Sequence, residues 1–243
     1  DRAGAIADDL EAYDRATTDG ERAAIERELT RQVAIFWRTR LIRGVRLGLG
    51  DEIENAVSYF ERSFLAELPR LYAHWEPLLG GTLPSFLRIG SWVGGDRDGN
   101  PFVTHEVTRQ AFQRQARAAL QFYLAQIHQL GAELSISGAL AGVTPELKAL
   151  ADRSLDASPH RADEPYRRAL TEIYARLAAT YPRLTGEQPP RPATFAVPPY
   201  EGPEGLKAEL QVVQASLLEK HGAAFKEGTL PDLIRAVDCF GFH

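Results

Sequence analysis

Residues 91 to 104 read Ser-Trp-Val-Gly-Gly-Asp-Arg-Asp-Gly-Asn-Pro-Phe-Val-Thr, and no regular element can run through them. Three glycines are free to take a positive φ, and a proline fixes its own φ and lacks an N–H, so helix and strand are both broken here. Upstream, Ser85-Phe86-Leu87-Arg88-Ile89-Gly90-Ser91-Trp92-Val93 is a short apolar run bounded by breakers, which predicts a buried strand over residues 86–93. Downstream, Thr104 is placed to cap a helix from His105 to Leu130. In that helix Phe112, Ala116, Ala119, Leu120, Tyr123, Ile127 and Leu130 share one stripe, and Gly131 can end it. Strand, polar glycine loop and helix make a βα unit.

The remaining chain reads as helix with few interruptions. Residues 8–39 are charged and helical, with Gly20 as a break and Leu10, Tyr13, Ile25, Leu29, Val33 and Phe36 expected inside. Asp51 is a plausible N-cap for a helix toward Leu68, and Pro69 is expected to interrupt or kink it. Thr144-Pro145 is a cap followed by proline at the first helical position, and Tyr166, Leu170, Ile173, Tyr174 and Leu177 repeat at helical spacing after Pro165. Seven prolines between Pro182 and Pro203 exclude a continuous helix or central strand and predict an extended surface loop over 182–203. Helical spacing returns with Leu206, Leu210, Val213 and Leu217, closes near Gly222, and reappears from Leu230 to Val237.

Composition narrows the class of molecule. A chain of 243 residues can form one large domain or two small ones. It has no apolar run near the roughly 18 residues of a membrane span and no basic-then-apolar leader. The formal charge of −5 is made of both signs spread throughout, so no basic stripe suggests a nucleic-acid groove. The single Cys239 excludes an intramolecular disulfide, which is compatible with a reducing cytoplasm. There is no methionine and the first residue is Asp1, so a fragment of a longer protein is expected.

The chemistry-bearing residues concentrate in the glycine loop. Asp96, Asp98 and Asn100 alternate as in an EF-hand, but with Asp96 first, position six is Pro101 and position twelve is Val107, where glycine and a bidentate glutamate are required. Calcium is excluded by that spacing. Two readings remain open: an anion cradle, with Gly94, Gly95 and Gly99 allowing close backbone approach and Arg97 offering a forked donor, or a structural turn in which Asp96 and Asp98 are turn formers or caps and Arg97 sits in a local ion pair. The six histidines show no HExxH or paired Cys/His spacing, Cys239 reads as a buried thiol, and Gly48-Leu49-Gly50 is too short for a dinucleotide fingerprint. Trp37, Trp75 and Trp92 are expected in the core, and Arg109, Arg114 and Arg117 on a solvated helix face.

Taken together, these strings resemble phosphoenolpyruvate carboxylase. That family typically reads SWMGGDRDGNPxVTxEVT; here Val93 replaces the methionine and the likeness continues through Glu106-Val107-Thr108. Phe36-Trp37-Arg38-Thr39, Ser58-Tyr59-Phe60, Glu164-Pro165-Tyr166-Arg167 and Phe240-Gly241-Phe242-His243 resemble the family's LWxT, SYF, EPYR and the start of FGxxLxxLDxRQ. The resemblance implies a mainly α segment of an incomplete βα, TIM-like barrel, with one strand near 86–93 and a second beginning near the C-terminus. Residues 1–243 would then be a single fragment of a larger domain.

It further implies an enzyme forming oxaloacetate and phosphate from phosphoenolpyruvate and bicarbonate, using Mg2+ or Mn2+ with ligands outside this chain, as a cytoplasmic homotetramer with no membrane or nucleic-acid partner. Asp96, Arg97, Asp98 and Asn100, with the loop glycines Gly94, Gly95 and Gly99, would order the barrel mouth. The TAHPT histidine, metal-binding carboxylates, catalytic lysine and mobile arginine loop are not in these residues, so the segment alone is expected to be inactive. Gly44 stands where the family has the second arginine of TDEIRR, leaving Arg43 as a remnant of an effector site, and Glu54 reverses a charge. Weak sugar-phosphate activation is therefore expected. The alternative is a non-catalytic helical interaction or regulatory module derived from this scaffold.

Overall fold

The computed structural model describes residues 2–39 and 48–243, which fall into two compact units, Asp1–Leu47 and Gly48–His243. The first is a helical hairpin of α1 (Arg2–Arg15) and α2 (Asp19–Trp37). The break comes at residues 16–18 and not at Gly20, because Thr18 and Glu21 form a reciprocal capping box that starts α2 one residue before the glycine. Two helices alone cannot enclose a core, so the apolar positions expected inside are at best half-buried, and Leu10 and Val33 are exposed.

In the second unit α3 (Leu49–Tyr59) leads through a π turn (Phe60–Phe64) into α4 (Leu65–Leu79), a continuous helical rod. Asp51 does not open α3. Gly48 is the N-cap, and Asp51, at the third position, accepts the Gly48 N–H at 3.0 Å. Nor does Pro69 stop the rod. The Leu65 N–H reaches back to Phe60 O across the π turn, loosening the helix one turn before the ring of Pro69 meets the Leu65 carbonyl.

The remaining helices are α5 (His105–Glu133), α6 (Gly138–Ala141), α7 (Pro145–Asp152), α8 (Pro165–Thr185), α9 (Pro203–His221) and α10 (Thr229–Phe240). α5 and α8 form the central pair, α7, α9 and α10 pack around them, and α4 packs on α10. The core joins Leu120, Tyr123 and Ile127 of α5 to Leu170, Ile173 and Leu177 of α8 and Leu206, Leu210 and Val213 of α9. Buried tyrosines place their hydroxyls on fixed partners: Tyr123 donates to Gly241 O at 2.9 Å, and Tyr166 bonds Ser216 at 2.8 Å.

Helix α5 passes through Gly131 to Glu133, and Phe112, expected in its buried stripe, is 58% exposed because the buried face runs through Ala111, Ala116 and Ala119. α8 absorbs Pro182 and α9 starts on Pro203, so the irregular segment is 187–202. Tyr200, 2% exposed, pins it: its N–H reaches Thr180 Oγ1 at 2.8 Å and its ring lies 4.1 Å beneath the Arg176 guanidinium.

No strand forms among the described residues. Residues 83–90 are extended, and burial alternates with period two: Leu83, Ser85, Leu87 and Ile89 are half-buried, while Pro84, Phe86, Arg88 and Gly90 are exposed. The expected strand at 86–93 thus alternates in burial as a strand does but has no ladder: the Phe86 N–H donates back to Pro84 O, the Leu87 N–H to the Tyr72 hydroxyl and the Val93 N–H to Ser91 Oγ. Nor does the strand expected to begin near the C-terminus start within the described residues. α10 continues through Phe240, and Gly241, at φ 61°, turns the chain so that Phe242 is buried beside the helix end.

Candidate functional site

The glycine loop joins the extended segment to α5. The Trp92 carbonyl accepts the N–H groups of Gly95 (2.9 Å) and Asp96 (3.0 Å), closing the first turn. Gly94 is buried at φ 81°, and a Cβ built there would lie 2.8 Å from Ala111 Cβ and 3.0 Å from Ile53 Cδ1. Only glycine therefore lets the loop sit down between α3 and α5. A second turn forms at the tip, where Asp98 takes φ 29° and Gly99 φ 74°, and the Asn100 N–H bonds Arg97 O. The Asn100 side chain accepts the Phe102 N–H at 3.0 Å, an Asx turn that hands the chain to the Thr104 cap. Thr104 Oγ1 accepts the Val107 N–H, and its contacts with Glu106 hold that carboxyl below its ordinary value.

Between these anchors Asp96, Arg97 and Asp98 are exposed, and among the described residues none of the three has a side-chain hydrogen bond or ion pair. Arg97 is not held in the local ion pair that a purely structural turn would supply. The backbone is fixed by Gly94, Asn100 and Thr104, while the charged tip is left free to meet something else. Trp92, 77% exposed, and Phe102 flank it; Trp92 was expected in the core, but it stands where the turn begins and its ring faces outward. Trp37 is likewise exposed at the end of the hairpin, and Trp75 is half-buried, stacked on Phe86 at 6.1 Å. A cavity of about 60 Å3 lies behind the loop entry, lined by Phe60, Leu65, Ile89, Ser91 and His243 among others.

Of the expected site residues, Gly95, Asp96, Arg97, Asp98, Gly99 and Asn100 are exposed along one loop and Gly94 is buried beneath them, whereas Arg43 and Gly44 lie outside the described residues. Glu54, the reversed charge, has a structural use: it bonds Arg114 at 2.9 Å and approaches Arg117 at 3.8 Å, tying α3 to α5 beside Gly94. Arg114 and Arg117, expected to be solvated, are therefore paired; Arg117 also faces Glu187 at 3.7 Å. Cys239 is buried, and burial raises its thiol pKa. Among the described residues no group of three or more His, Cys, Asp or Glu is arranged to hold a metal ion, and Asp96 and Asp98 lack a third ligand. No helix there is long and apolar enough to cross a membrane.

Ile53 and Ala111, which wall in Gly94, were not anticipated as site residues, although both sit on apolar helical positions where such contacts arise. The anchors of the extended segment had no sequence signal. Glu76 and Arg235 are 159 residues apart, and only the packing of α10 on α4 brings them together.

Comparison with known proteins bears on what this surface serves. The family model for phosphoenolpyruvate carboxylase matches residues 1–243. A phosphoenolpyruvate carboxylase of Azoarcus sp. (strain BH72) is 50% identical over 223 residues, covering 88% of this chain and 24% of the relative. One from Ralstonia nicotianae is 51% identical over 227 residues, covering 88% and 23%. One from Bradyrhizobium diazoefficiens is 45% identical over 251 residues, covering all of this chain and 27% of the relative. The chain spans about a quarter of the length of these relatives.

Proposed function

The chain belongs to the phosphoenolpyruvate carboxylase family, and on that footing we propose that it is an internal segment of an enzyme that forms oxaloacetate and phosphate from phosphoenolpyruvate and bicarbonate. In the reaction, a bicarbonate oxygen attacks the phosphoryl group, giving carboxyphosphate and the enolate of pyruvate. Carboxyphosphate loses phosphate to leave carbon dioxide, and the enolate carbon attacks it to form oxaloacetate. Mg2+ or Mn2+ would polarise the reactants, held by ligands that this reading places outside the segment.

Within that enzyme the loop's part is placement. It lies after an extended segment and before a helix, the position that carries the active face when such units close into a barrel. The observation that carries this reading is a rigidly anchored backbone whose Asp96, Arg97 and Asp98 are unpaired among the described residues. Arg97 would fork onto an acidic or phosphate group contributed from outside this segment, with Asp96, Asp98 and Asn100 shaping the rim and Gly95 and Gly99 allowing the approach. The complete protein would be a cytoplasmic homotetramer, and the Gly44 replacement beside Arg43 would leave sugar-phosphate activation weak.

The test is a coupled oxaloacetate assay on the complete protein. Arg97→Ala is expected to lower kcat roughly tenfold or more, as misplacement of a site commonly does; full turnover by this variant would remove the loop from the reaction. Residues 1–243 alone are expected to form no oxaloacetate.

A further inference from the structure

The glycine loop is anchored downstream by α5 and at Gly94 by Ile53 and Ala111, but its upstream lead has no neighbouring strand. Apart from a local turn in which the Phe86 N–H donates to Pro84 O at 2.9 Å, the polar anchors of residues 83–87 among the described residues are side chains of α4 or α10. The Leu83 N–H donates to Glu76 Oε1 at 3.0 Å, and the Leu87 N–H donates to the hydroxyl of the fully buried Tyr72 at 2.8 Å. Arg235 completes the set: one terminal nitrogen donates to Leu83 O at 2.9 Å and Ser85 Oγ at 2.8 Å, and the other to Glu76 Oε1 at 2.5 Å. Its guanidinium lies 4.5 Å over the Tyr72 ring, and its side chain is only 14% exposed. Ser85 also donates to Asp238, which Lys207 pairs.

We infer that Arg235 is a positioning residue for the proposed reaction: with Glu76 and Tyr72 it forms a latch that fixes residues 83–87, and through them the setting of the loop from Gly94 to Pro101. The inference rests on the carboxylase reading for its activity readout. Its physical basis is the number of partners that one planar group holds at once. A forked guanidinium can bond a carbonyl, a hydroxyl and a carboxylate while stacking on a ring, which an ammonium cannot do. In a barrel strand a ladder would do this work; here one side chain spans the segment and the helix behind it. Six residues separate Leu87 from Gly94; Leu87 and Ile89 pack on the main core and Val93 packs on the cluster of Ile53 and Ala111, so a shift at the latch passes to the loop through these contacts. Glu76, Leu83 and Arg235 also line an open cleft of about 1050 Å3 bordered by α4, α9 and α10, while Tyr72 stays buried behind them.

The experiment compares Arg235→Leu, Arg235→Lys and Tyr72→Phe in the complete protein, reading kcat and KM for phosphoenolpyruvate together with amide exchange of residues 83–101. Arg235→Leu is expected to lower kcat roughly tenfold with KM within about twofold of the parent, since placement acts on the transition state more than on binding. Arg235→Lys should recover part of the loss, and Tyr72→Phe should lower kcat roughly threefold, in keeping with loss of one hydrogen bond. Exchange of Gly94–Pro101 should quicken in each. Parent-like kcat in Arg235→Leu, with the Leu83 and Leu87 amides deprotected, overturns the inference. If Arg235→Leu does not fold, Tyr72→Phe decides: parent kcat and unchanged loop exchange overturn it. If the parent itself forms no oxaloacetate, the carboxylase reading fails separately, and loop exchange alone then supports or overturns the latch.

Discussion

At the residue scale, Gly94 shows how one missing methyl sets a site. The Trp92 carbonyl and the neighbouring N–H groups could close a similar turn around many residues, but the space between Ile53 and Ala111 admits none with a Cβ. Gly94→Ala is expected to cost about 2–4 kcal/mol, adding the strain of a left-handed residue to overpacking against α5. Gly99→Ala is the control, because it too has positive φ but meets nothing within 4 Å, and it should cost about 1 kcal/mol. Thermal unfolding of residues 1–243 separates the two; equal losses would mean that the contact with Ala111 carries no weight. The sequence marked Gly94 as a special backbone position. It gave no means of telling Gly94 from Gly99, since that distinction is made by residues on two other helices.

At the element scale, the starts of α5 and α7 were legible, because Thr104 and Thr144 each accept an N–H three residues on and Pro145 follows its cap, local groups that can be read in order. The start of α3 at Gly48, expected at Asp51, and the Thr18 capping box of α2 were not read. Gly20, Pro69, Gly131 and Pro182 were read as interruptions, yet helices run through all four. A breaker costs roughly 1 kcal/mol for glycine and about 3 for proline, which burial of the apolar faces of α4, α5 and α8 outweighs, while Gly20 lies in the first turn of α2 behind its capping box. The cap at Thr104 joins loop to helix, so Thr104→Ala is expected to lower stability by about 1 kcal/mol and to alter the amide signals of Gly99–Val103 along with the first turn of α5. Changes confined to α5 would show that the cap does not order the loop.

At the scale of the whole molecule, carboxyls pull the pH response in opposite directions, Asp156 and Glu172 being one of each kind. Asp156 is bonded by Arg161, which holds it below its ordinary value, so its contribution is present above 3.8 and is lost as pH falls through the lowered pKa. Glu172 is 5% exposed, with Oε2 unbonded; burial raises its pKa, Glu209 adds to the rise, and Arg153 and Arg176 oppose it. Its folded state holds the proton more tightly than the unfolded state, so stability falls as pH rises from 4.5 through the raised pKa. Glu172→Gln is therefore expected to raise Tm at neutral pH by roughly 2–4 °C, about 1 kcal/mol for a domain of this size, and to flatten the slope between mild acid and neutrality. A lower Tm at neutral pH would show that the arginines outweigh burial.

The order of residues by itself determined the helical class, the family and the loop's identity, because periodicity, caps and a long contiguous motif are local properties of the chain. Only the tertiary structure decided that residues 83–90 have no ladder, that Arg97 has no side-chain partner among the described residues, and that Glu54 binds α5. Those outcomes depend on which distant side chains arrive beside a given backbone group. Tyr72, Glu76 and Arg235 meet Leu83 and Leu87 because α10 packs on α4, and no spacing along the chain encodes that meeting.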